Sequence, residues 1–227
     1  METGSDLKII AHIRSDFGEK FGIPRQSGLV DTLTAQIVFE PEYRDANAFR
    51  GLEGYSHIWL LWKFSESVLE KWEPTVLPPR LGGKTRMGVF ATRSPFRPNP
   101  IGLSSVRLEK IELHTPDGPI LHVSGADLMD GTPIYDIKPY LAYTDAHPEA
   151  LGGFALQQKE GLLEVEFPDA CRAAVPEHLQ AGLVEILSQD PRPQYQNDPT
   201  RVYTMSFGGM EVSFTVEGTI LRVCGVK

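Results

Sequence analysis

The densest cluster of chemically capable side chains runs from Arg80 to Gly102, RLGGKTRMGVFATRSPFRPNPIG. It carries Arg80, Lys84, Arg86, Arg93 and Arg97 and no acid. Guanidinium forks match phosphates and carboxylates bidentately. Pro95, Pro98 and Pro100 stiffen the second half, so these groups are presented at low entropic cost. A rigid turn with solvated charges has the same composition, and composition alone does not separate the two.

Other segments are weaker taken singly. In Leu128–Tyr140, LMDGTPIYDIKPY, Asp130-Gly131-Thr132-Pro133 forces a tight turn, and Asp136 and Lys138 alternate onto one face of the strand that follows. In FGIPRQSGLV, Pro24-Arg25-Gln26 sits in a loop whose glycines let backbone approach a ligand. Asp130, Asp136 and His57 are the side chains whose types suit a proton acceptor. His57, at the head of an apolar strand, has an equally ordinary reading as a structural group. Trp59 and Trp62 read as core. Near the end, Asp190-Pro191-Arg192-Pro193 with Tyr195 is either a helix stop or a pair of contacts to a sugar-phosphate backbone and a base.

Several fingerprints are missing. No GxGxxG follows a strand, and neither GxxxxGK[ST] nor GxSxG occurs. Cys171 and Cys224 lie outside any CxxC or Cys/His cluster, so no metal site is expected.

The elements that would position these residues are mostly strands. Leu7–Ile13, Ala35–Phe39, His57–Phe64, Met87–Ala91, Leu103–Leu113, Ile120–Gly125 and Ile134–Leu141 read as strands. His57–Phe64 is nearly continuous in apolar residues, as a strand buried on both faces would be. TPDGP links two strands through a proline and an Asp-Gly pair. Asp45–Leu52 suits a short helix with Asp45 as N-cap. The pattern predicts a mainly β protein, with a β-barrel or sandwich over 1–147. A Pro/Gly-rich stretch near 145–160 then leads to a small α+β unit over 148–227. That unit has a strand at Leu162–Phe167, a helix at Pro176–Gln189, and a meander of Arg201–Phe207, Met210–Val216 and Thr219–Val223.

The 227 residues are 41% hydrophobic and 9% aromatic, which suits a packed core rather than disorder. With 22 basic against 30 acidic side chains the net charge is -8, which excludes a polycation that coats DNA but not a local basic face. The first residues have no secretory apolar core, and no run is long enough to span a membrane, so a cytoplasmic protein is expected.

Four segments, GLEGYSHIWLLWKF, PPRLGGKTRMGVFATRSPFRPNPIGLS, DGTPIYDIKPY and DPRPQYQ, occur in this order. The chain resembles the bacterial tRNA N6-methyltransferase family that acts on threonylcarbamoyladenosine beside the anticodon, and the resemblance covers essentially its whole length. The resemblance implies a single β-barrel that binds S-adenosylmethionine, which accounts for the missing GxGxxG. It also implies a homodimer and a tRNA substrate. The family's cofactor contacts fall on Pro24, Arg25, Gln26, Ser65, Glu66, Arg93, Leu103, Asp130, Gly131, Thr132, Pro133 and Ile134. Ser65-Glu66 departs from the family in residue type, which implies a backbone contact there. Arg86, Arg97, Arg192 and Tyr195 are the expected tRNA contacts. The alternative function is a non-catalytic module that binds S-adenosylmethionine or another nucleotide as a sensor.

Overall fold

The computed structural model describes residues 7–66, 72–81, 83–156, 161–192 and 198–227. The first part holds strands β1 (Ala11–Arg14), β2 (Thr34–Phe39), β3 (His57–Lys63), β4 (Thr75–Val76), β5 (Met87–Gly88), β6 (Ile101–Glu112), β7 (Ile120–Ser124) and β8 (Pro133–Pro139). Six of them close into an antiparallel barrel in the order β1-β2-β7-β6-β3-β8, and β4 and β5 form a separate two-stranded arm. The chain turns from β6 to β7 through Thr115–Gly118, where Thr115 Oγ1 accepts from Asp117 N and Gly118, at φ 83°, donates its N–H to Thr115 O.

Alternation decides what fills the barrel. Ala11 and Ile13, Ala35 and Ile37, Ile58 and Leu60, Val106, Leu121, Val123 and Ile134 point inward and are buried. The apolar run of β3 is therefore not buried equally on both faces: Ile58, Leu60 and Trp62 fill the core, while Trp59 and Leu61 face outward and are half-covered. The outer face is sheltered by the chain after β8. Trp59 packs against Tyr140 in a tilted pair, 5.4 Å between ring centres, and its indole N–H donates to Asp145 Oδ2 at 2.8 Å. Gly102 on β6 stands opposite Trp62, and a Cβ there would lie 2.1 Å from the indole Cε2. Only glycine lets the ring lie across that strand.

Helix α1 (Ala142–Asp145) closes the first part, and the second holds β9 (Glu164–Glu166), α2 (Asp169–Arg172), α3 (Glu177–Ser188), β10 (Tyr203–Phe207), β11 (Met210–Glu217) and β12 (Ile220–Val226). The sheet runs β10-β11-β12-β9, with β9 parallel to β12. Leu179, Leu183, Ile186 and Leu187 of α3 pack on Met205, Phe207, Phe214 and Leu221 of the sheet. Phe17, Val30 and Leu33, from the loop between β1 and β2, are buried in this same core. A Cβ on Gly182 would lie 2.2 Å from Leu33 Cδ2, so the helix is notched to receive that loop. Gly208 N donates to Asp16 O at 2.8 Å and Ser206 N to Glu19 Oε1 at 2.7 Å.

Several elements differ from the sequence expectation. The first strand begins at Ala11, and Leu7 and Ile9 are exposed. Met87–Ala91 is a two-residue strand followed by a single turn of helix, Val89–Ala91. Asp45 does accept from Asn47 N at 2.9 Å, but what it caps is a single turn at Ala46–Phe49, cut short where Arg50 becomes extended. Among the described residues no helix is long and apolar enough to cross a membrane.

Candidate functional site

One mouth of the barrel opens into a cleft of about 450 Å³. Four stretches of chain line it. They are the loop of Lys20 and Ile23–Gln26, the end of β3 with Phe64–Glu66, the Pro-rich run from Arg93 to Leu103, and Asp127 with Met129 and Thr132 before β8. The volume lies in the range that holds nucleotide-sized ligands.

Local chemistry fixes each wall. Phe64 N donates to Pro100 O at 3.0 Å, extending the β3–β6 pairing past the strand ends. Phe64 packs on Trp62 at 4.3 Å between ring centres. In the Pro-rich run Arg97 N donates to Pro95 O and Ile101 N to Asn99 O, both at 2.8 Å, and Arg97 Nη1 donates to Thr92 O at 3.3 Å. Arg93 Nη1 donates to Gln26 Oε1, which ties this run to the opposite wall. Arg25 donates to Asp190 O at 3.0 Å, linking the cleft to the chain that follows α3. Lys20 Nζ donates to Glu66 O.

A chain of polar groups leads from the barrel interior to the cleft. Trp62 Nε1 donates to Ser104 Oγ at 3.0 Å, and Ser104 Oγ donates to Asp127 Oδ1 at 2.5 Å. Ser104 is 1% exposed. Burial pushes the Asp127 carboxyl above the usual carboxylate range, against the pull of the Ser104 bond, the Arg93 charge and backbone N–H groups. Asp127 faces the cleft and is shielded from bulk water elsewhere.

Of the residues singled out from sequence, Pro24, Arg25, Gln26, Ser65, Glu66, Arg93, Leu103 and Thr132 line this cleft, and so does Arg97. Four others shape the turn behind it. Asp130 Oδ1 accepts from Ser15 N at 3.0 Å, and Gly131, at φ 74°, donates its N–H to Ile13 O at 2.9 Å. Pro133 pairs with His12 on β1, and Ile134 is buried in the barrel. His57 and Asp136 also stand away from the cleft lining. His57 Nδ1 lies 3.0 Å from Ser56 Oγ, and the Asp136 carboxylate is 2.8 Å from Lys138 Nζ. Arg86 donates to Glu73 and Thr75 on the β4–β5 arm. Arg192 is bound to the two carboxylate oxygens of Asp190, at 2.8 and 2.9 Å, with its side chain 10% exposed. Tyr195 lies outside the described residues.

The sequence reading passed over Asp127, Ser104 and the polar role of Trp62. Two signals were present: an acid in GADLMDGTP just beyond the end of β7, and a glycine inside the strand opposite a tryptophan. Among the described residues no three His, Cys, Asp or Glu side chains gather as a metal site.

A side-chain-filled antiparallel barrel with a mostly apolar cleft edged by charged side chains at its mouth defines a barrel-type binding or transfer protein, distinct from the doubly wound sheets that bind nucleotides at their strand ends. The chain belongs to the tRNA-methyltransferase O family: residues 12–146 match the family's N-terminal domain and residues 160–227 its C-terminal domain. It is 44% identical over 194 residues, 82% of each chain, to the tRNA (adenine(37)-N6)-methyltransferase of Escherichia coli K12. It is 43% identical, over 89% of both chains, to a Pseudomonas aeruginosa protein provisionally named an S-adenosylmethionine-dependent methyltransferase. A crystal structure of the Pseudomonas aeruginosa family member superposes with a TM-score of 0.81 at 36% identity, over 100% of this chain and 98% of that one.

Proposed function

We propose that this chain transfers a methyl group from S-adenosylmethionine to N6 of threonylcarbamoyladenosine beside the anticodon of tRNA, in the cytoplasm and as a homodimer. The observation that carries the reading is the cleft itself. Eight residues expected to contact the cofactor line one cavity of about 450 Å³, drawn from four separate stretches of a chain that belongs to a tRNA-methyltransferase family. The residues fit the group. Ile23, Pro24, Phe64 and Leu103 offer apolar surface to an adenosine, and Arg93 and Asp127 offer opposite charges to a zwitterionic end.

S-adenosylmethionine supplies an electrophilic methyl group on a sulfonium. The protein's part is orientation, because in-line displacement needs nucleophile, methyl and sulfur held collinear. The Pro-rich run, pinned through Phe64 and Gln26, supplies a wall of low mobility. Arg97, in the cleft wall, is a fork for the threonyl carboxylate or a backbone phosphate of the substrate. The target base lies in a single-stranded loop and is turned out without breaking a duplex.

The test is transfer of labelled methyl groups from S-adenosylmethionine to total tRNA from a strain lacking the modification. The wild-type chain labels that tRNA, and Arg93→Ala loses about 100-fold or more in rate while remaining folded. Binding of S-adenosylmethionine without transfer to any tRNA would replace the enzyme reading with the sensor.

A further inference from the structure

The Asp127 carboxylate stands out because Ser104, the Ser27 backbone and the Arg93 charge all bear on a group that also faces the open cleft. It sits at the barrel mouth, away from bulk water, on a hydroxyl that is itself fixed by the Trp62 indole. Ser104 Oγ accepts from Trp62 and so directs its own proton at Asp127 Oδ1. Gly102 leaves room for the indole that starts the chain. A carboxylate oriented this firmly and turned toward an open cleft is built to meet a cation. The opposing wall holds Arg93, whose charge acts on Asp127 and whose position is set by Gln26.

We propose that Asp127 and Arg93 form a clamp for the amino-acid end of the bound cofactor, Asp127 taking the α-ammonium and Arg93 the α-carboxylate. The assignment rests on S-adenosylmethionine as the ligand of the cleft. It sets the cofactor's orientation: the zwitterion lies over the Trp62–Ser104–Asp127 chain, and the adenosine lies toward Ile23, Pro24, Phe64 and Leu103. Charge supports it. A partly buried carboxylate that costs the fold stability is compensated when a cation arrives, so ligand binding and its ionisation reinforce each other.

The experiment is titration calorimetry of the full chain with three probes. S-adenosylhomocysteine carries both charges, its deaminated analogue lacks the ammonium, and 5′-methylthioadenosine lacks the whole amino-acid end. In the wild type, S-adenosylhomocysteine binds about tenfold or more tighter than the deaminated analogue, the scale of a charge-assisted hydrogen bond in a shielded site. Asp127→Asn, which keeps an oxygen for Ser104, binds those two alike and leaves 5′-methylthioadenosine unchanged. Arg93→Gln weakens S-adenosylhomocysteine and spares 5′-methylthioadenosine, and it carries the comparison if Asp127→Asn does not fold. The clamp is wrong if Asp127→Asn weakens S-adenosylhomocysteine and 5′-methylthioadenosine equally, or weakens neither. If the wild type binds none of the three, the cofactor reading itself falls, and the clamp with it.

Discussion

The protein has two cores, and they are built differently. The C-terminal core of α3 and its sheet buries phenylalanine, leucine, methionine and valine, and among the described residues its one buried polar atom without a partner is the Tyr203 hydroxyl. The barrel core buries Ser104, Ser124 and Thr132 among its aliphatic residues. Each is bonded: Ser104 to Trp62 and Asp127, Ser124 Oγ to Glu109 at 2.6 Å, and Thr132 Oγ1 to Met129 O at 2.6 Å. Polar groups in a core add little net stability and are costly when left unpaired. Thr132 lines the cleft, and Ser104 reaches it through Asp127. The contrast teaches that the C-terminal core is packed for stability, whereas the barrel core gives up part of that packing to orient groups at its mouth.

The largest expected effect sharpens the stability side. Leu183→Ala removes a fully buried side chain between α3 and the sheet and should cost about 3–5 kcal/mol, read from the denaturant midpoint. It should leave the intrinsic affinity of still-folded protein for S-adenosylhomocysteine nearly unchanged. A comparable loss of affinity would erase the division of labour between the cores.

Gly102→Ala acts in the barrel. The new methyl displaces the Trp62 ring, and overpacking of this kind costs about 1–3 kcal/mol. It also breaks the Trp62–Ser104 bond, so ligand affinity should fall along with stability, measured by calorimetry on folded protein. Unchanged affinity would detach the indole from the site.

Asp127→Asn is the smallest in stability and opposite in sign. The folded carboxyl titrates above its ordinary value of 3.8, so the fold holds that proton more tightly than the unfolded chain does. Its contribution is fully present below pH 3.8 and is lost as pH rises through the raised folded value. At neutral pH the ionised carboxylate therefore opposes folding. Asparagine, which does not titrate, should raise the melting temperature at pH 7 and lose that advantage as pH falls toward 4. A lower melting temperature at pH 7 would make Asp127 a structural anchor.

How legible this was in the sequence depended on the range of the cause. The barrel strands could be read because alternation is local, as in β2. The β3 run misled about its outer face because Tyr140 and Asp145, which shelter it, lie some eighty residues downstream. The boundary expected between 147 and 148 follows composition, and composition does not register that Phe17, Val30 and Leu33 cross into the other core. At the site, the arginine-rich run and Pro24–Gln26 announced themselves through residue type and resemblance. Asp127 did not, because its character comes from shielding and from Ser104, and neither is a property of its neighbours in the chain.

The loop from Phe17 to Leu33 carries a last consequence. Both ends of it are seated in the C-terminal core and its middle, Ile23 to Gln26, is a wall of the cleft. The two parts of the molecule thus share a rigid member, as two rooms share a beam. Heat should melt them in one cooperative transition rather than two. Occupying the cleft should raise the melting point of the C-terminal sheet, although no residue of that sheet lines it.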